Sequence, residues 1–279
     1  MKDTAMIRSN PHTHTPYVDG KSTPREMIDT ALSLGFVSLG FSEHAAQAGI
    51  DSVYGLDPSR RRDYLNEIRA LAREYASRLT IRVGLEIDRL STDSPEDLDY
   101  FLAANHYFAS EDGDWAAVDG DPDSLESYVD RHFGGSWDTA LKTYFEQYAA
   151  HVCRIKPTII AHLDLICKGN RKRHWFDEAE GPLIEYGKAA MDQMITACDL
   201  MEVNTGGMAR SGQPCPYPVQ PLLKYWHDLG GRVIPSSDCH RCRQLAPAFD
   251  TTEDYLRRAG FTEYLILSPG KALFETVAL

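Results

Sequence analysis

Two histidines one residue apart, His12 and His14, close the first apolar segment of the chain. In an extended strand, residues two apart point to the same face, so both imidazoles can reach one metal ion without a special turn. Two ligands are not a site. Further candidate donors recur at Asp19, His44, Glu86, His106, His162, Asp238 and His240, each after a short apolar run. A lone histidine behind a strand is most simply a hydrogen-bonded loop residue. Here six of the ten histidines (His12, His14, His44, His106, His162 and His240) fall at the ends of expected strands, and that recurrence argues for a shared metal centre. His132, His151, His174 and His227 fall on helices or in polar loops and are read as structural.

The donor types narrow the chemistry. Imidazole with carboxylate and no thiolate suits Zn²⁺, Mn²⁺ or Fe²⁺. The donors are too many for one ion. A carboxylate such as Glu86 can bridge two, and ions ~3.5–4 Å apart are a standard device for hydrolysing phosphate esters. Cys239 and Cys242 have C-x-x-C spacing, but no second pair completes a zinc tetrahedron.

The elements that must position these donors alternate strand and helix. After the first strand, Ser22 or Thr23 can cap a helix with Pro24 in its first turn, an apolar stripe through Met27, Ile28, Ala31, Leu32 and Leu34, and Gly35 as its stop. Residues 36–41 read as a second strand delivering Glu43 and His44; a helix over about 59–78 and a strand over 79–85 lead to Glu86. A fourth strand, 100–106, brings His106, and the acidic stretch 111–123 reads as a surface loop. A helix over 137–156 is stopped by Pro157, and the strand 158–161 delivers His162 and Asp164. Then follow a helix over 182–200, a strand over 200–204, the Thr205-Gly206-Gly207 turn, a short helix over 221–229 and a strand over 231–237 ending at Asp238. A helix over 252–260 and a strand over 263–267 close the chain.

Seven strand–helix units predict a parallel sheet with right-handed crossovers. Such a sheet could close into a barrel or stay open and doubly wound. The donors fall at the C-terminal ends of nearly all the strands, and only a closed barrel gathers those ends around one mouth. A chain of 279 residues suits one undivided barrel, so 1–279 is read as a single domain. A net charge of −12 argues against nucleic acid as the main partner, since that binding is built on lysine and arginine. No apolar run is long enough for a membrane span, and the first residues lack the apolar core of a signal peptide. The expected location is cytoplasmic, where the six cysteines would be reduced thiols.

Several stretches resemble the polymerase-and-histidinol-phosphatase (PHP) superfamily: His12-Thr13-His14 with Asp19-Gly20-Lys21, Ser42-Glu43-His44, Gly84-Leu85-Glu86, Asn105-His106, Ala161-His162-Leu163-Asp164, Glu202-Val203-Asn204 and Ser237-Asp238-Cys239-His240. They stand in the family's order. Within the superfamily the chain is similar to the monofunctional histidinol-phosphate phosphatases. The resemblance implies a distorted (β/α)7 TIM-like barrel with three divalent ions at its mouth. His12, His14, Glu86 and Asp238 would hold one ion; Glu86 would bridge to a second, held also by His106 and His162. The third would sit on Asp19, His44 and His240. Asp19 stands where several relatives have histidine, and Cys239 where the family usually has alanine.

The activity so implied is hydrolysis of L-histidinol phosphate in histidine biosynthesis, with Glu86, Asp238 and His240 at the catalytic centre. Arg210 is the first choice for the phosphate oxygens, with Lys168 and Arg171 behind it, and Glu43 is a candidate partner for the substrate's amine or imidazole. A coordinated water, Asp238 or His240 could protonate the leaving group. Another small phosphoester, such as a nucleotide, is the nearest rival substrate. A proofreading module attached to a DNA polymerase is the rival of another class, and the acidic charge speaks against it.

Overall fold

The computed structural model describes residues 7–48 and 54–279. Strand β1 (Ser9–Asn10) leads into the histidine pair, and helix α1 (Pro24–Ser33) follows. Thr23 caps that helix: its hydroxyl accepts from the Glu26 N–H while the Glu26 carboxylate accepts from the Thr23 N–H, with Pro24 in the first turn. Next come β2 (Ser38–His44), α2 (Arg61–Tyr75), β3 (Thr80–Asp88) and β4 (Tyr100–Ala104). Helix α2 buries Tyr64, Leu65, Ile68, Leu71 and Tyr75, a stripe at helical spacing.

A hairpin of β5 (Tyr107–Ala109) and β6 (Trp115–Ala117) precedes α3 (Pro122–Phe133) and α4 (Trp137–Ile155). The second half continues through β7 (Ile159–Ile160), α5 (Cys167–Arg173), α6 (Pro182–Met194), β8 (Leu200–Asn204), α7 (Gly206–Ser211) and α8 (Gln220–Asp228). It ends with β9 (Arg232–Ser236), α9 (Phe249–Ala259), β10 (Glu263–Leu267) and β11 (Phe274–Ala278).

Seven strands form one parallel sheet in the order β1-β2-β3-β4-β7-β8-β9. The sheet closes beyond its first and last strands. Thr13 bridges Cys239 in parallel register, His14 N–H donating to the Cys239 carbonyl at 2.8 Å and Cys239 N–H to the His12 carbonyl at 3.0 Å. Below that bridge the edges part, because β1 is only two residues long, and β10 packs between β9 and β1. The Ser38 hydroxyl donates to the Leu267 carbonyl of β10 at 2.5 Å. The result is a distorted (β/α)7 barrel, zipped at its C-terminal mouth and plugged underneath. Inside it, the Tyr100 ring lies against Gly40 and Gly84, where a Cβ at either position would collide with it.

Two expectations need correcting. Residues 111–123 are more than a surface loop, because Ala116 and Val118 are buried and pull the segment into the β5–β6 hairpin and on into α3. The connection 89–99 crosses from β3 to β4 without a helix, so the strand–helix alternation is broken once. β10 lies outside the parallel sheet and pairs antiparallel with β11.

Candidate metal centre

All the predicted donors but Asp19 ride on the C-terminal ends of strands, which parallel packing points the same way. The β1 extension presents His12 and His14, β2 ends at His44, β3 carries Glu86, and His106, His162, Asp238 and His240 follow β4, β7 and β9. Asp19 comes from the loop before α1. Glu86 sits at the middle: its Oε2 is 2.8 Å from His44 Nδ1, 3.4 Å from His12 Nε2 and 3.8 Å from His14 Nε2. Its Oε1 is 2.8 Å from His162 Nε2 and 3.4 Å from His106 Nε2. Asp238 Oδ1 lies 3.0 Å from His14 Nε2 and 3.5 Å from His240 Nδ1, and Asp19 Oδ2 lies 3.1 Å from His240 Nε2.

His12 Nε2, His14 Nε2, Glu86 Oε2, Asp238 Oδ1 and Asp19 Oδ1 are buried yet have no hydrogen-bond partner among the described residues. Unpaired buried polar atoms are costly, and here they converge on shared space. Among the described residues, three sets of donor atoms lie close enough to hold a cation: His14, Asp19, His44 and His240; His12, His14 and Asp238; His44, Glu86 and His106. Electrostatics favour the same occupant. Burial pushes the Glu86 carboxyl up, but the imidazoles of His106, His12 and His44 reverse this and hold it well below the usual range. Burial pulls His12 down, while Glu202, Glu86 and Asp238 raise it well above an ordinary histidine. Without an ion the carboxylates need protons on the imidazoles; a divalent cation supplies that charge directly.

Behind the donors stands a second row that the sequence reading did not assign. Glu202 Oε2 is 2.9 Å from His12 Nδ1, and its Oε1 accepts from His162 N–H at 2.7 Å. Asp88 Oδ2 accepts from His106 N–H at 2.7 Å and lies 3.3 Å from its Nδ1. Glu43, expected to meet substrate, is instead fully buried behind His14, with Oε1 3.2 Å from Nδ1 and Oε2 accepting from Thr15 N–H at 2.9 Å. A carboxylate on Nδ1 fixes the tautomer and turns Nε2 toward the cluster, the arrangement that metal-ligating histidines use. The sequence held one signal for these acids: a carboxylate inside a strand destined for burial must have a partner.

Six of the nine donors, Asp19, His44, His106, His162, Asp238 and His240, line a cavity of about 760 Å³. Arg210 lines it, with Nη2 2.5 Å from Asp238 Oδ2 and Nη1 donating to the Asp238 carbonyl. That grip holds Asp238 at φ 47°, a left-handed conformation costly for a residue other than glycine. Lys168 also lines the cavity. Arg171, one helical turn further along α5, is exposed and outside the cavity wall, so its expected phosphate role falls away. The six cysteines are unpaired thiols. No helix among the described residues is long and apolar enough to cross a membrane.

A parallel barrel with a histidine- and carboxylate-lined mouth defines a class of metal-dependent barrel proteins. The PHP domain family matches residues 10–196, and the chain belongs to that family. It is 24% identical to a probable histidinol-phosphatase of Schizosaccharomyces pombe over 283 residues, covering 95% of this chain and 90% of the relative. It is 26% identical to a histidinol-phosphatase of Bacillus subtilis over 189 residues, covering 58% of this chain and 68% of the relative. The histidinol phosphate phosphatase of Lactococcus lactis, solved with zinc, L-histidinol and phosphate, shares the fold at a TM-score of 0.60 and 17% identity, covering 93% of this chain and 96% of that one.

Proposed function

We propose that this chain hydrolyses L-histidinol phosphate to L-histidinol and phosphate, using divalent cations. The observation that carries the reading is the set of unpaired donor atoms around Glu86, opening on a cavity that also holds Arg210 and Lys168. Three cation positions account for the nine donors: His12, His14, Asp238 and Glu86; Glu86, His106 and His162; and Asp19, His44 and His240. The relatives named histidinol-phosphatases support the substrate. When bound, the cations supply an activated water and neutralise phosphate charge. Lys168 offers a further positive charge to the phosphate oxygens, where charge builds in the transition state. Arg210 fixes Asp238 and keeps the positive edge of the cavity in place.

The test is phosphate release from L-histidinol phosphate by protein purified without chelator, with bound metals measured on the same sample. The reading expects turnover that chelation abolishes and metal restores. No turnover, or a clear preference for a nucleotide, would overturn the substrate assignment.

A further inference from the structure

The wall of the cavity beside the metal donors has its own chemistry. Lys168 Nζ donates to Asp119 Oδ2 at 2.7 Å, with the two side chains 26% and 28% exposed. Burial pushes the Asp119 carboxyl up, but Lys168, then His106 and His162, bring it down to about 2, so it is ionised at neutral pH. Beside it on the same wall stands Trp115, held edge-on by Tyr107 at 5.8 Å and Tyr54 at 6.1 Å between ring centroids. The hairpin that carries Trp115 leads directly into Asp119, so ring and carboxylate come as one unit.

We propose that Asp119, Lys168 and Trp115 form the specificity subsite, and that it works by exchange of ion-pair partners; this rests on the function proposed above. A phosphate entering the cavity draws the Lys168 ammonium to itself. Asp119 is then left as a half-buried carboxylate beside an incoming anion, an unfavourable state unless a new cation arrives. A substrate with an ammonium group supplies that cation, and its aromatic ring lies against Trp115. One internal ion pair is replaced by two to the substrate. A phosphate ester without a cation breaks the internal pair and leaves Asp119 unmatched, so the subsite rejects it as well as selecting its rival. No proton or covalent bond changes hands in this exchange.

The experiment compares kcat/KM for L-histidinol phosphate and propyl phosphate in the metal-loaded protein. Asp119→Asn removes the charge that needs matching, and the ratio of the two values falls at least ~30-fold, because the analogue lacking the amine is no longer penalised. On the wild-type protein with inorganic phosphate present to draw Lys168 away, L-histidinol binds at least ~10-fold more tightly than the same alcohol without its amine, a readout independent of whether the variant folds. A wild-type protein that selects L-histidinol phosphate while Asp119→Asn keeps the full ratio, or equal binding of the two alcohols in the presence of inorganic phosphate, overturns the exchange and leaves the proposed function standing. A wild-type protein that does not turn over L-histidinol phosphate overturns both.

Discussion

His12 and Glu202, separated by 190 residues in sequence, meet at 2.9 Å between Nδ1 and Oε2 in a fully buried pair. The carboxylate keeps the proton on Nδ1 and leaves Nε2 free to coordinate. The same Glu202 also accepts from His162 N–H at 2.7 Å, from Ser236 Oγ at 2.7 Å and from Asn204 Nδ2 at 2.8 Å, so four partners fix its orientation.

Glu202→Gln keeps the shape and removes the charge. Losing a carboxylate behind a metal-ligating histidine costs roughly 10–100-fold in metal affinity. Chelator competition followed by metal analysis would show it; native affinity would remove Glu202 from this role.

Glu86 touches four of the candidate histidines closely, and Glu86→Gln should reduce phosphate release by about three orders of magnitude or more, since a carboxamide is a poor bridge between cations. Folding, followed by far-UV circular dichroism, should persist because the barrel closes through Thr13 and Cys239. Near-native turnover would contradict the bridging position.

Arg210 grips Asp238 and lies 3.2 Å from His240 Nδ1, so Arg210→Ala is expected to disturb metal retention as well as catalysis. Metal content should drop in step with kcat/KM, by about tenfold or more, where a pure phosphate contact would leave metal content whole. Full metal content with lost turnover would return Arg210 to a phosphate role alone.

His151, which is not itself one of the metal donors, offers a test of pH-dependent stability. Its Nε2–H donates to the Ile87 carbonyl at 2.9 Å and its Nδ1 accepts from Arg154 at 2.9 Å, so the buried ring is neutral with both nitrogens engaged. Burial first, and then Arg154, hold its pKa below the ordinary 6.5 against the opposing pull of Ile87 and Asp88. On acidification the unfolded chain takes up this proton before the folded one. The stability is therefore present above about pH 6.5 and is lost as pH falls below it. His151→Gln should cost about 1–2 kcal/mol at pH 8 and flatten the decline between about pH 7 and 5, read from urea midpoints of the two proteins. Parallel curves would refute the assignment.

Substrate choice gives a whole-site test. L-histidinol phosphate is expected to be turned over at least ~100-fold more efficiently than a simple alkyl phosphate, roughly 3 kcal/mol of discrimination, because remote binding energy is used in the transition state. Comparable kcat/KM would leave a metallophosphoesterase without its specificity.

Much of the site was legible because donor spacing is local chemistry. His12 and His14 share a face by the period of an extended chain, and the donors behind β2, β3, β4, β7 and β9 meet because parallel strands deliver their ends to one rim. The caps and apolar stripes of α1 and α2 likewise follow from the residues themselves. What stayed hidden depends on partners far apart in sequence. Glu43 looked like a cavity acid, and only the fold turned it inward onto His14. Lys168 and Arg171 were equivalent cations in sequence; the placement of α5 put one on the cavity wall and the other in solvent. The acidic stretch after His106 gave little local pattern, and it was packing of Ala116 and Val118 into the core that brought Trp115 and Asp119 to the cavity. Strand period fixes which face a side chain takes, but the neighbour across that face is set by tertiary packing.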